Sequence, residues 1–162
     1  MTAEPQVVTA SEPLWFLGTL VRPKLSGEQT SGRFALWEGV LPRGAAPPLH
    51  SHPQDETLYV LEGMVLVWTG DGAEPAGTCE AGAAVFVPGG VPHSFRVESD
   101  TARVLFLSTP AGIEDYVRAL AEPARWPWLQ PPPDGPRVPS GRLAAVEREL
   151  GVVRHAPAPP VS

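Results

Sequence analysis

Asparagine is absent from this 162-residue chain, lysine occurs once, at Lys24, and cysteine once, at Cys79. A single cysteine excludes an internal disulfide, so a reducing cytoplasm is the expected compartment. Cys79 lies in GTCEAG with no neighbour that would activate a thiolate, and its expected role is that of a small apolar filler. Charged residues are only 19% of the chain, the net charge is −6, and there is no basic run. Neither nucleic acid nor an anionic membrane is therefore an expected partner. No apolar stretch approaches the roughly 20 residues of a membrane-spanning helix. The opening MTAEPQVVTASEP has neither the basic start nor the apolar centre of a leader peptide. The shortage of lysine, set against eleven arginines, reads as coding bias rather than chemistry.

Histidine is scarce too, but it is concentrated. Three of the four histidines fall in two short stretches. GAAPPLHSHPQDETLYVLEG, from Gly44 to Gly63, holds His50, His52 and Glu56, and GAAVFVPGGVPHSF, from Gly82 to Phe95, holds His93. Residues two apart on an extended strand point to the same side, so His50 and His52 present both imidazoles to one face. Glu56 keeps that parity, whereas His93 must be delivered by the fold. Imidazole nitrogens with one carboxylate form a divalent-metal set, suited to iron, manganese, nickel, cobalt or zinc without deciding among them. Four protein ligands in a six-coordinate site would leave two positions open. Pro47 and Pro48 stiffen the approach to His50, and Gly89 and Gly90 are expected to supply positive φ in the turn that aims His93. His155 lies in the closing HAPAPPVS, outside both stretches, and no role is expected of it.

These residues carry a resemblance. The first stretch resembles the first motif of the cupin superfamily, G-x5-H-x-H-x3-E-x6-G, at Gly44, His50, His52, Glu56 and Gly63. The second resembles G-x5-P-x-G-x2-H-x3-N at Gly82, Pro88, Gly90 and His93, with Val97 in place of the asparagine, which is not a metal ligand in the family. The segments SGEQTSGRFALWEG, TPAGIEDYVRAL and LAAVERELGVV add a likeness to the single-domain cupins of the quercetin 2,3-dioxygenase kind. The resemblance implies an all-β jelly-roll barrel with C-terminal helices, and one divalent metal held by His50, His52, Glu56 and His93. It also implies a small phenolic, flavonol or polyketide-like substrate oxidised with dioxygen, Glu56 as both ligand and base, and a homodimer. The cupin barrel also hosts isomerases, cyclases and non-catalytic binders, which stay open as alternatives.

The implied organisation is an N-terminal strand and arm over 1–24, the barrel over 25–110, a helical segment packed on it over 111–155, and a tail over 156–162. Many short strands punctuated by Gly and Pro agree with an all-β barrel. LWFLGTLV reads as one or two strands ended by Pro23, LSGEQTSG as a flexible loop, and RFALWEGVL as a half-buried strand. DETLYVLEG and MVLVWTG form a hairpin with both faces of the first strand apolar, and TCEAGAAVFVP is a further single strand. Pro110 opens a helix with Ile113, Tyr116, Val117 and Leu120 at helical spacing. Ser140 caps a second helix, to Val153, whose stripe is Leu143, Val146 and Leu150, with Gly151 near its end. Between them, WPWLQPPPDGPRVP reads as an extended connector pinned by Trp126, Trp128 and Leu129. Phe34, Leu36, Leu58, Val60 and Phe95 are the candidate pocket residues.

Overall fold

The computed structural model describes residues 4–9, 11–72, 74–124 and 138–159. The connector between the two helices, with Trp126, Trp128 and Leu129, lies outside the described residues, as does the end of the tail. The strands are β1 (Leu14–Phe16), β2 (Thr19–Leu25), β3 (Ala35–Pro42), β4 (Leu49–Ser51), β5 (Asp55–Glu62) and β6 (Met64–Thr69), followed by β7 (Pro75–Glu80), β8 (Ala84–Val87), β9 (His93–Val97) and β10 (Thr101–Thr109). After them come α1 (Ile113–Leu120), the short β11 (Glu122–Pro123), α2 (Ser140–Leu150) and β12 (Val153–Ala156). They assemble into two antiparallel sheets, one ordered β11-β1-β2-β3-β10-β5-β8 and the other β12-β4-β9-β6-β7. This is the all-β jelly roll expected.

Alternation builds the core. Along β10, Ala102, Val104, Phe106 and Ser108 are buried and their neighbours are not. On β3 the inward set is Ala35, Trp37, Gly39 and Leu41, and on β5 it is Glu56, Leu58 and Val60. Val60, Val65, Val97 and Val104 are at most 1% exposed, each worth about 1.5–3 kcal/mol of burial. Val97, the residue that departs from the cupin motif, is thus one of the best-packed side chains in the barrel. The outer face of β5 is apolar as the sequence suggested, but it is not covered: Tyr59 is half exposed, and so is Phe86 of β8, the cross-strand partner of Thr57. Elsewhere on the same sheet's outer side, Glu38 accepts from Arg103 Nε at 3.0 Å and meets Lys24 at 3.1 Å. Burial pushes the Glu38 carboxyl up, but Lys24 and Arg103 more than offset that and hold it below the usual range.

Several local expectations change for identifiable reasons. Pro23 does not end β2. β1 covers only Thr19–Val21, so on that side the strand is already a free edge at Pro23, where a missing N–H costs nothing. The 26–32 segment is a turn stitched by Thr30 N to Ser26 O at 3.1 Å and Gly32 N to Gly27 O at 2.7 Å. TCEAGAAVFVP is two strands in different sheets, β7 and β8, broken at Gly82. The first helix starts at Ile113, after Gly112 and not at Pro110, and Glu114 Oε2 accepts from Gly112 N at 2.6 Å. Pro139 is the N-cap of α2 and Ser140 its first residue, while Gly151 closes it at φ 70. Leu143, Val146 and Leu150 are half-buried, none fully, so the helix lies on the barrel more lightly than its stripe implied. Cys79 is half-buried against the core. No described helix is long and apolar enough to cross a membrane.

Candidate metal centre

Three strands and one loop deliver the site. His50 on β4 is the cross-strand partner of His93 on β9, and His52 and Glu56 flank the loop from β4 to β5. The three imidazoles pack against one another, with ring centroids 4.5 Å apart for His50–His93, 5.1 Å for His52–His93 and 5.8 Å for His50–His52. One ligating nitrogen from each lies within 4.8 Å of the others. Glu56 joins through Oε2, which meets His93 Nε2 at 2.9 Å and His52 Nε2 at 3.3 Å. The sequence-predicted quartet is therefore gathered in one place.

Backbone carbonyls orient two of the rings. His50 Nδ1 donates to Pro48 O at 2.9 Å and His93 Nδ1 to Val91 O at 3.0 Å, which turns each Nε2 into the site, the usual support for a metal-ligating histidine. Pro48 is fixed in turn, because the buried Ser94 hydroxyl donates to Pro47 O at 2.7 Å. Among the described residues, His52 Nδ1 is buried without a hydrogen-bond partner, a costly condition in a protein interior. The turn between β8 and β9 clamps the loop that carries His52. Gly90 N donates to His52 O at 2.8 Å and Gly89 N to Asp55 Oδ1 at 2.7 Å. Of these two glycines, Gly90 alone has a positive φ, 80°. Gly89 is needed for a different reason: a Cβ there would stand 2.2 Å from Pro53 O.

The charge states suit a cation. Burial, reinforced by His93, drives the His50 pKa down to about 4, so its lone pair is free at neutral pH. Burial disfavours the charged form of Glu56, yet hydrogen bonds from His52 and His93 hold its carboxyl well below the usual range. Burial lowers the His93 pKa and its bond to Glu56 raises it more, for a net rise. A carboxylate ringed by three imidazoles, two of them steered by carbonyls, fits a divalent metal of the imidazole and carboxylate class.

A cavity of about 510 Å³ opens onto these residues. Its apolar wall includes Phe16, Trp37, Phe95 and Phe106, with Trp37 and Phe106 stacked at 5.7 Å. Of the five pocket candidates read from sequence, Phe95 lines this cavity. Leu58 and Val60 sit in the packed core, at 3% and 1% exposure. Leu36 faces a separate small crevice, and Phe34 is not among the lining residues. The correction is one of parity: Ala35, Trp37, Gly39 and Leu41 form the inner face of β3, not Leu36.

The larger surprise is the C-terminal segment. Val152 is buried against the core and lines the cavity. β12 then pairs antiparallel with β4, Arg154 opposite His50 and Val153 opposite Ser51. His155, of which no role was expected, meets Ser51 Oγ through Nε2 at 2.9 Å. Glu147 of α2, Arg154 of β12 and Tyr116 of α1 also line the cavity. Tyr116 OH donates to Glu147 Oε1 at 3.2 Å, and Arg154 donates to the same oxygen from Nε and Nη2, both at 2.6 Å. Burial, with Glu147 close by, pushes the Tyr116 pKa up to about 12. No local pattern marks these residues, because their meeting depends on a strand pairing across about a hundred residues of chain.

Residues 37–110 match the family described as Cupin_2, the cupin domain, the class to which the fold and the histidine set of that segment also point. Over 97 residues it is 31% identical to the quercetin 2,3-dioxygenase of Bacillus subtilis (strain 168), a match covering 59% of this chain and 28% of that protein. The chain thus spans less than a third of that relative's length. Among solved structures it resembles KdgF from Halomonas sp., with a TM-score of 0.51, 20% identity, and coverage of 57% of this chain and 79% of that one. A Bacillus subtilis oxalate decarboxylase variant gives a TM-score of 0.54 at 20% identity, covering 71% of this chain and 33% of its own. At that identity the two structures speak for the fold.

Proposed function

We propose that this protein is a metal-dependent dioxygenase of the quercetinase kind, acting with dioxygen on a phenolic, flavonol or polyketide-like aromatic. The observation that carries the reading is the aromatic-walled cavity of about 510 Å³ ending on His50, His52, His93 and Glu56. That volume is in the range of small-molecule sites. The likeness to a quercetin 2,3-dioxygenase over the barrel supports it. A divalent iron, manganese, nickel, cobalt or zinc ion held by these four residues would supply Lewis acidity and open coordination positions. Glu56, kept ionised by its imidazole neighbours, takes the proton from a substrate hydroxyl placed within hydrogen-bonding distance. Trp37, Phe95 and Phe106 hold a flat ring system and keep water from its faces.

The test is oxygen uptake by each metal form in the presence of a flavonol, followed together with loss of the flavonol absorbance. Uptake matched to substrate loss, dependent on metal, is the expected result. Substrate loss that proceeds equally well without oxygen would overturn the dioxygenase reading in favour of an isomerase or cyclase. Saturable binding with no product would point to a binding module.

A further inference from the structure

The cavity carries a second polar feature that the metal site does not use. Apart from the quartet, its charged lining groups are the Glu147–Arg154 ion pair, with Tyr116 completing a triangle, and Arg43, which pairs with Asp100 outside it. The three bonds converge on a single atom, Glu147 Oε1. Among the described residues, Glu147 Oε2 and Arg154 Nη1 make no hydrogen bond; the Glu147 side chain is 13% exposed and that of Arg154 42%. Cross-strand neighbours share a face, so Arg154 stands beside His50 on the cavity side of the β4–β12 pair.

We propose that Glu147, Arg154 and Tyr116 form a hydroxyl-recognising subsite, which selects aromatic ligands bearing a second, neutral hydroxyl away from the group that meets the metal. The chemistry follows from the charge balance. The pair carries no net charge and offers an acceptor and donors side by side. A hydroxyl both donates and accepts, so it can give its proton to Glu147 Oε2 and accept from Arg154 Nη1, while the Tyr116 hydroxyl, donating to Glu147 Oε1, holds the carboxylate in place. A ligand carboxylate would satisfy Arg154 but face Glu147, and an unsubstituted ring would leave the pair unused. The inference rests on reading the cavity as an aromatic-substrate site.

The experiment reads binding, not turnover. Metal-loaded protein under argon is titrated with three matched flat ligands: a flavonol whose pendant ring is bare, one hydroxylated on that ring, and one carrying a carboxylate there. Quenching of tryptophan fluorescence reports occupancy, since Trp37 lines the cavity. The expected wild-type preference for the hydroxylated ligand over the bare one is about tenfold or more, the scale of hydrogen bonds to charged groups. The carboxylate should gain nothing. Glu147→Gln and Tyr116→Phe should each shrink the ratio of the two affinities to within about threefold. A purely structural role would instead weaken all ligands alike, and that outcome overturns the proposal, as does equal wild-type affinity for the bare and hydroxylated ligands. Absence of binding by all three overturns the subsite together with the aromatic-substrate reading, whereas oxygen-dependent turnover without the preference overturns only the subsite.

Discussion

Truncating Val152 to alanine tests whether the C-terminal segment is part of the barrel or an ornament on it. Val152 is 7% exposed, belongs to the core cluster and lines the cavity, whereas its neighbour Val153 is 51% exposed on the far side of β12. Removing two buried carbons costs about 1.6 kcal/mol at 0.8 kcal/mol each. A cavity that relaxes only in part brings the total to about 2 kcal/mol. For a chain of this size that is a fall of roughly 4–8 °C in Tm. Val153→Ala removes the same atoms from the surface and should stay within about 0.5 kcal/mol of wild type. Thermal and urea unfolding of the two metal-free variants, side by side, make the comparison. Because the residues are adjacent, composition, propensity and unfolded-state effects nearly cancel in the difference. Equal melting temperatures for the two would refute the docking of β12, and with it the placement of Arg154 beside His50.

Three further outcomes follow from the geometry. Glu56→Gln keeps shape and loses basicity, so it should retain part of the metal while activity falls on the order of a hundredfold to ten-thousandfold; near-normal turnover with full metal would remove Glu56 from the chemistry. Gly89→Ala places a Cβ 2.2 Å from Pro53 O and should destabilise by more than about 1 kcal/mol and weaken metal binding, while Gly77→Ala, with open space around it, should do neither; unfolding curves and metal titrations of the pair decide. Tyr116, with a pKa raised from 10 to about 12, favours its neutral form in the folded protein. Its contribution is complete below pH 10 and is lost as pH rises towards 12, so Tyr116→Phe should flatten the alkaline fall in stability, and an unchanged slope would contradict the burial of that hydroxyl.

What could be read from the sequence was whatever short-range pattern encodes. The histidine and glutamate spacing, the motif glycines and the strand alternation all act within a few residues, and the structure gathers them as expected. Face assignment was harder. β3 carries apolar residues on both sides, Leu36 and Val40 as well as Trp37 and Leu41, so alternation alone could not say which faced the cavity; only pairing with β10, Trp37 beside Phe106, settles it. Gly89 was singled out, but for turn conformation, when its role is the close approach of Pro53. The least legible part was the cover. Val152, Arg154 and His155 sit in a short mixed run, GVVRHA, with no clear periodicity, and their order comes from pairing with β4, which local composition cannot announce. Glu147 was hidden for a related reason, as one of two glutamates of α2 beside an apolar stripe.

Metal content is the most direct measurement of the central claim. Protein loaded with excess divalent metal, freed of unbound ion and analysed for elements should hold about one ion per chain, with the ion raising stability by about 2.7 kcal/mol at a hundredfold excess over its dissociation constant. His50→Ala and His93→Ala, each deleting one nitrogen of the converging set, should reduce the load to near zero and abolish that gain. If both variants keep the wild-type load and the same stabilisation, the three histidines and Glu56 are not the metal site.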